Sequence, residues 1–449
     1  MKPVLRAWWI ALAIKCVLAA LVPLSNDEAY YWVWGHHLQW SYFDHPPFVG
    51  WLFYLGSFFD FASPQFQLVR WPAILLGHCT LLVWAKILEP YLDEQKSKLW
   101  FYFVLVSPII GFGSLVVTPD IPLVFFWSLS LLLLLRALET KSLAQYAALG
   151  AALGLGFCSK YLIVLFVPIT FIWLIASGEW RKVKWSFVPM TVIVGLIFCF
   201  PVLYWNYKNE WASFAFQLDH GLQSEKPELT WPIEYVIGQI LLLFPPVAYF
   251  AFRRTKEKSA QFLLYFGWVP VAFFFYTSFR AHVEANWPIM AYPALLSLAV
   301  LNANEKTVRR IAIFWLVAGL IVASEALFRW VPVDAKYLKT REFSRFDSLI
   351  TEAVKPETYL GSYQMAAAIS YRTQTNIYKL AGLNRRDFYD FIPEANPQGD
   401  RFRFILDIGN AVPSWLTESN GYEIVSSQQI DESGYRVIEV YRHAQDSDR

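Results

Sequence analysis

Apolar runs of about 15–22 residues recur from Val4 to Trp330, each close to the length that crosses a hydrocarbon layer as a helix. Runs of this kind leave few foldable options. Inside lipid, every backbone N–H and C=O must be bonded within its own segment, so the runs are read as transmembrane helices. Composition points the same way: 56% of the residues are hydrophobic and 16% are charged, where a soluble domain carries about 25% charged residues. A net charge of +2 gives no sign of a nucleic-acid partner. The chain is therefore expected to be an all-α polytopic membrane protein.

Helices are expected near 4–24, 66–88, 99–117, 121–138, 143–158, 161–177, 186–205, 231–251, 261–278, 287–303 and 311–329, about eleven in all, with the N-terminus cytoplasmic. Under this threading the cytoplasmic turns hold seventeen Lys and Arg. The opposite side holds five before the tail: Arg70, Lys160, Lys208, Lys226 and Arg280. Joining 143–158 to 161–177 would invert every later loop and place the basic turns outside, so a break near Ser159–Lys160 is favoured. The first run resembles a signal peptide in outline, with cleavage near Ala19–Ala20 as the alternative, but is read as an uncleaved first helix. The cysteines (Cys16, Cys79, Cys158, Cys199) all fall in apolar runs and show neither a disulfide framework nor zinc-ligand spacing.

Residues 1–330 are thus expected to form the transmembrane domain, with a long first outer loop at 25–65. Its apolar stretch Phe48–Phe61 is too short to span and is expected to lie in the interface. From Val331 the composition becomes that of a soluble domain. Strand-like runs at Thr358–Ser362, Asn376–Leu380, Phe402–Asp407 and Arg436–Tyr441, with a helical stretch at Tyr363–Arg372, predict a small α/β unit over 331–449.

The residues that could carry chemistry gather at the outer edge in this threading. Asp27–Glu28 follows the first helix, ahead of an aromatic stretch including Tyr30 and Tyr31. The pair is either a water-facing helix end or N-cap, or a general base at the membrane edge. The tyrosines are either an interfacial belt or a surface on which a sugar ring stacks. Asp44–His45, before Pro46–Pro47, is a weak candidate for holding a metal or orienting a phosphate. Asp120, in Thr118–Pro119–Asp120, would cap the next helix or act as a membrane-edge carboxylate. Lys160 either snorkels or meets a phosphate. In the turn Arg280–Pro288, alternation places Arg280, His282, Glu284 and Asn286 on one side. Arg280 suits a phosphate, and His282 with Glu284 suits a metal or a proton.

Taken in order, DEAYYW, SYFDHPPFVGW, TPDIPLVFFW, GLGFCSKY, PVLYWNYKNEWASFAFQ and VEANWPIMAYPAL resemble the integral-membrane glycosyltransferases of the GT-C fold. The likeness is to the bacterial branch of lipid A aminoarabinose and galacturonic acid transferases and, more distantly, to protein O-mannosyltransferases. It covers roughly residues 20–295, and the tail segment SYQMAAAISYRTQTNIYKLAGLNRRDFYDF resembles that branch's short outer domain. The resemblance implies an inverting transfer of one sugar from a polyprenyl (undecaprenyl) phosphate to a lipid, glycolipid or protein acceptor, on the periplasmic face of a bacterial inner membrane. It implies Asp27 or Glu28 as general base, Asp120 as a second catalytic carboxylate, and Lys160 and Arg280 as ligands of the donor phosphate. Tyr30, Tyr31, Asp44, His45, Asn206, His282, Glu284 and Asn286 would line the substrate site. No cofactor is demanded, because the leaving phosphate carries its own charge. A divalent metal stays open, with Asp44, His45, His282 and Glu284 as its candidate ligands. Lipopolysaccharide modification and protein glycosylation are both compatible with this reading. A transporter or lipid flippase is the alternative class, and it would be expected to show ionisable residues at mid-membrane and inverted repeats. A structural assembly subunit is a third. The sugar, the acceptor and the oligomeric state are not legible.

Overall fold

The computed structural model describes residues 2–222, 228–253, 260–333, 338–430 and 434–443. Lys226, Arg254, Lys256 and Lys258, which contribute to the charge asymmetry, lie outside the described residues. The chain divides into two compact units. The first comprises Met1–Ala19, Gln39–Leu52 and Arg70–Ser324; the second comprises Ala20–Leu38, Phe53–Val69 and Glu325–Arg449.

The first unit is helical. Its elements include α1 (Lys2–Leu21, which runs on past the unit's edge), α4 (Trp71–Leu88), α5 (Glu94–Leu105), α6 (Asp120–Thr140), α7 (Leu143–Ser159), α8 (Phe166–Ser177) and α9 (Val188–Lys208). These are followed by α10 (Ala212–Leu222), α11 (Thr230–Leu243), α12 (Pro245–Phe252), α13 (Phe262–Thr277), α14 (Tyr292–Asn302) and α15 (Glu305–Phe328). Two shorter helices, α2 (Asn26–His36) and α3 (Phe48–Gly56), lie in the stretch between α1 and α4.

Among the described residues, five helices are long and apolar enough to cross a membrane: Val4–Leu21, Leu68–Leu88, Asp120–Thr140, Trp185–Lys208 and Glu305–Phe328. Two bent pairs raise the number to seven: Glu94–Leu105 with Pro108–Leu115 turns by 65°, and Thr230–Leu243 with Pro245–Phe252 by 91°. The distance from this range to the expected eleven lies in Leu143–Ser159, Tyr161–Ser177, Phe262–Thr277 and Ile289–Asn302, which are apolar but shorter. At 17 residues, α7 reaches about 26 Å, short of a hydrocarbon layer of about 30 Å. Length therefore separates these helices from full spans; their composition does not. Phe48–Ala62 is likewise a short apolar helix.

Glycine decides how α7 meets α9. A Cβ on Gly150 would stand 2.3 Å from Thr191 O, and one on Gly154 would stand 2.5 Å from Gly195 O. This is the small-residue spacing by which helix backbones approach closely when lipid removes any hydrophobic drive between them. Between α7 and the segment leading to α8 the chain breaks, with Lys160 extended at φ −160° and ψ 138°.

The second unit holds α2 with α16 (Ile350–Ala353), α17 (Tyr363–Thr373) and four strands: β1 (Thr358–Leu360), β2 (Arg401–Asp407), β3 (Tyr422–Ile430) and β4 (Tyr435–Arg442). The sheet order is β1-β2-β4-β3; β1 runs parallel to β2 and the other pairs are antiparallel. The run Asn376–Leu380 is not a strand. It makes a single parallel bridge, Leu360 to Lys379. Ala366, Ala367 and Ala368 on α17 are buried, and this helix packs on α2.

Replacing Gly154 by leucine is expected to push α7 off α9, an overpacking cost of about 1–3 kcal/mol. Thermal unfolding of the detergent-purified protein should show the loss, and an unchanged Tm would mean that the close contact contributes nothing.

Candidate active site

Asp120 opens α6, directly after Pro119. Its carboxylate does not cap its own helix. Lys160 Nζ donates to Oδ1 at 2.6 Å and Asn286 Nδ2 donates to Oδ2 at 2.8 Å. The helix N-terminus adds favourable positive potential at this carboxylate. Both side chains of the ion pair are largely buried, Lys160 at 14% exposure and Asp120 at 6%. The extended backbone at Lys160 lets a residue that follows α7 reach back to the start of α6. A helical Lys160 would continue the α7 spiral instead. The ammonium has three N–H groups, and Asp120 takes one of them among the described residues. A cavity of about 40 Å³ lies at Asp120, lined also by Thr80, Ser114 and Thr118.

The turn 280–288 brings in Asn286. Arg280, His282 and Glu284 are exposed while Ala281 and Val283 are buried, so the expected alternation holds as far as Glu284. Asn286 then turns inward to Asp120. Arg280 donates from Nη2 to Tyr276 Oη at 3.0 Å, and its guanidinium stands 5.3 Å from that ring. It makes no hydrogen bond or ion pair with the Asp120 cluster among the described residues. His282 lies 3.6 Å from Glu234 and 3.9 Å from Glu284, all of them more than half exposed.

Asn206 is fully buried and bonded to backbone on both sides of its amide: Nδ2 donates to Val202 O at 3.0 Å, and Phe214 N–H donates to Oδ1 at 3.2 Å. It thereby ties the end of α9 to the start of α10. Asp44 is buried, and its carbonyl accepts from Gln217 Nε2 at 2.7 Å. Among the described residues no group of three or more His, Cys, Asp or Glu could hold a metal ion. The candidate ligands Asp44, His45, His282 and Glu284 therefore do not form a metal set, and no chemical step is assigned to one.

Asp27, Glu28, Tyr30 and Tyr31 belong to the second unit. Ser25 caps α2: Glu28 N–H donates to its Oγ at 3.2 Å, while Ser25 N–H donates to Glu28 Oε2 at 2.8 Å. Glu28 is wholly buried in this capping box. Asp27 is different: it is partly exposed, and its carboxylate shows no hydrogen bond among the described residues. Its carboxyl is pushed up by burial first; the Lys339 ammonium opposes this, and Glu342 and Glu28 add to it. The two tyrosines are packed inside the unit. Tyr30 Oη accepts from Phe388 N–H at 2.8 Å, and its ring lies 4.5 Å from that of Tyr363; Tyr31 meets Trp34 at 5.0 Å.

Two polar residues escaped the sequence reading. Lys15, buried within the first apolar run, donates to Ser114 Oγ at 2.5 Å, and Ser114 also lines the cavity at Asp120. A lone lysine in a span was itself the signal. Tyr161, next to Lys160, shares a 2.9 Å hydrogen bond with Ser213 Oγ, which no sequence pattern announces.

Replacing Asp120 by alanine strands the Lys160 ammonium, a loss of about 3–5 kcal/mol for a buried pair. The double change Asp120→Ala with Lys160→Met should recover most of it. Thermal unfolding of the three proteins tests this, and equal losses in the single and double variants would show that the pair is not coupled.

Comparison with known proteins gives a consistent picture. Residues 44–205 match the family described as dolichyl-phosphate-mannose-protein mannosyltransferase. The lipid A galacturonosyltransferase RgtD of Rhizobium johnstonii is 23% identical over 287 residues, covering 61% of this chain and 59% of that protein. The undecaprenyl phosphate-alpha-4-amino-4-deoxy-L-arabinose arabinosyl transferase of Serratia proteamaculans is 23% identical over 340 residues, covering 68% and 60%. The chain thus spans about three fifths of the length of these curated relatives. The crystal structure of ArnT from Cupriavidus metallidurans bound to undecaprenyl phosphate superposes with a TM-score of 0.64 at 15% identity, over 96% of both chains. In fold over nearly its whole length, and in sequence over about two thirds of it, the chain is similar to the GT-C integral-membrane glycosyltransferases that use polyprenyl-phosphate sugars.

Proposed function

We propose that the protein is a glycosyltransferase that moves one sugar from a polyprenyl phosphate, such as undecaprenyl phosphate, to a hydroxyl of a lipid, glycolipid or protein acceptor. The observation that carries the reading is the Asp120–Lys160–Asn286 cluster with its largely buried ion pair, set in a fold shared with a transferase bound to undecaprenyl phosphate. A monophosphate leaving group needs a cation held in place before it arrives, and a lysine fixed by a carboxylate that an amide in turn holds supplies one. The lysine keeps N–H groups for phosphate oxygens, and the exposed guanidinium of Arg280 offers further donors. Asp120 is then the group that positions Lys160, since each of its oxygens already accepts a hydrogen bond.

In the proposed step an acceptor oxygen attacks the anomeric carbon as the bond from that carbon to the phosphate oxygen breaks. The electron pair leaves with the phosphate and the configuration inverts. On the resemblance of DEAYYW to the family's acidic pair, and not on any placement relative to Lys160, Asp27 is proposed to take the hydroxyl proton. It is preferred to Glu28, whose carboxylate closes a capping box, and a carboxyl raised by burial is better matched to accepting a proton near neutrality. The reaction is proposed to occur at the periplasmic face of a bacterial inner membrane. The transporter alternative finds no support among the relatives, which are named as transferases.

The test is release of free polyprenyl phosphate by the purified protein from a panel of polyprenyl-phosphate sugars. Asp27→Asn is expected to lower turnover by about 10²-fold or more while leaving the protein folded. Full activity in that variant would move the base elsewhere, and no release from any donor would reject the reading. The pH profile gives a second check. A base works only when deprotonated, so kcat/KM should fall with acid at a pH above the usual aspartate value of about 3.9, and Asp27→Asn should lack that limb.

A further inference from the structure

The second unit carries a cleft of about 630 Å³, within the size range of small-ligand pockets. Its walls come from the turn before β1 and from residues 375–378 and 393–398. Pro356, Pro393 and the rings of Tyr359 and Tyr378 make part of the lining apolar, while Glu357, Glu394, Asn376 and Gln398 make the rest polar. Two features narrow what such a cleft accepts.

The first is charge. Glu357 and Glu394 have no ion-pair partner among the described residues, because the one lysine of the cleft, Lys355, donates to Glu352 at 2.6 Å. Each carboxylate instead sits near a phenol. Burial and then Glu394 push the Tyr378 hydroxyl up, and burial and then Glu357 push Tyr359 up to about 12. An anionic ligand would meet two uncompensated negative charges here; hydroxyls or an ammonium would find acceptors.

The second is the sheet edge. An extended peptide would add along β1, but that edge is taken. Leu360 N–H donates to Tyr378 O at 2.9 Å, and Leu380 N–H donates to Leu360 O at 3.0 Å. What remains open is side-chain surface. Aromatic and proline faces beside carboxylates and amides match the two faces of a sugar ring, apolar C–H on one and hydroxyls at the rim.

We propose that this cleft binds a saccharide, neutral or amino-bearing and without phosphate, with the Tyr378 ring as its platform and Glu357 and Glu394 as acceptors for its hydroxyl or amino groups. The site stands on the chemistry of the second unit alone and does not depend on the transferase reading.

Calorimetric titration of the full-length protein in nanodiscs tests it, with chitobiose, N,N′-diacetylchitobiose and glucosamine 1-phosphate as probes. Both disaccharides are expected to bind, the phosphorylated sugar at least about ten-fold more weakly. Tyr378→Ala should weaken both disaccharides about ten-fold, while Tyr378→Phe, which keeps the ring, retains them. Glu394→Gln should weaken chitobiose more than its acetylated form. The proposal is overturned if neither disaccharide binds, if the phosphorylated sugar binds as well as they do, or if binding ignores both Tyr378→Ala and Glu394→Gln in proteins of unchanged Tm.

Discussion

The 2.6 Å ion pair between Lys160 and Asp120 is the contact on which the chemistry proposed for the first unit depends. A buried cation is costly unless a carboxylate and hydrogen bonds answer it. Three separate pieces of chain meet that demand: the start of α6, the break after α7, and the turn before α14 that supplies Asn286. The break is what makes the geometry available. Apolar sequence runs on either side of Lys160, and only a change from helix to extended backbone there aims the side chain at the N-terminus of α6. Removing one partner strands the other, so the pair holds the site's shape as well as its charge.

The second unit manages its buried charge in the same manner. Lys379, with no exposed side-chain surface, donates to Asp387 at 2.7 Å, to Asp390 at 2.9 Å and to Arg385 O at 2.9 Å. Arg341 meets Glu325 at 2.6 Å. Asp27 differs in that burial raises its carboxyl, against the opposing charges of Lys339 and Arg385, and that its carboxylate shows no hydrogen bond among the described residues. Paired charges serve structure; a carboxylate left unbonded while partly buried is the one to weigh for proton transfer.

Much of this was legible in the sequence because a single physical rule, the length of an apolar run, writes itself plainly. The helical architecture follows from it, while the break at Lys160 follows from the charge asymmetry of the loops and the tail from its change of composition. Length also separates the expected eleven helices from the five to seven long enough to cross among the described residues: α7, α8, α13 and α14 are apolar but shorter. In the tail, β3 was missed because YEIVSSQQI is almost wholly exposed and shows no alternating apolar face. Asn376–Leu380 was read as a strand on its residue types, yet it makes only one bridge because Lys379 turns into its ion cluster. At the site, residue types pointed to Asp120 and Lys160 as candidates, but not to each other. Pairing across 40 residues, and Asn286 across 166, is set by helix packing that no local pattern encodes. Residue types left Tyr30 and Tyr31 open as an interfacial belt or a sugar-stacking surface; hydrophobic burial against α17 and Phe388 takes them into the core of the second unit.

The central claim is that Lys160, positioned by Asp120, receives the phosphate of a polyprenyl phosphate. Affinity for undecaprenyl phosphate alone, measured in nanodiscs for the unaltered protein and for Lys160→Met, tests it most directly. The account predicts at least about ten-fold weaker binding in the variant, the loss of one charge-assisted hydrogen-bonding group. Equal affinity in two folded proteins would contradict it and place the phosphate elsewhere.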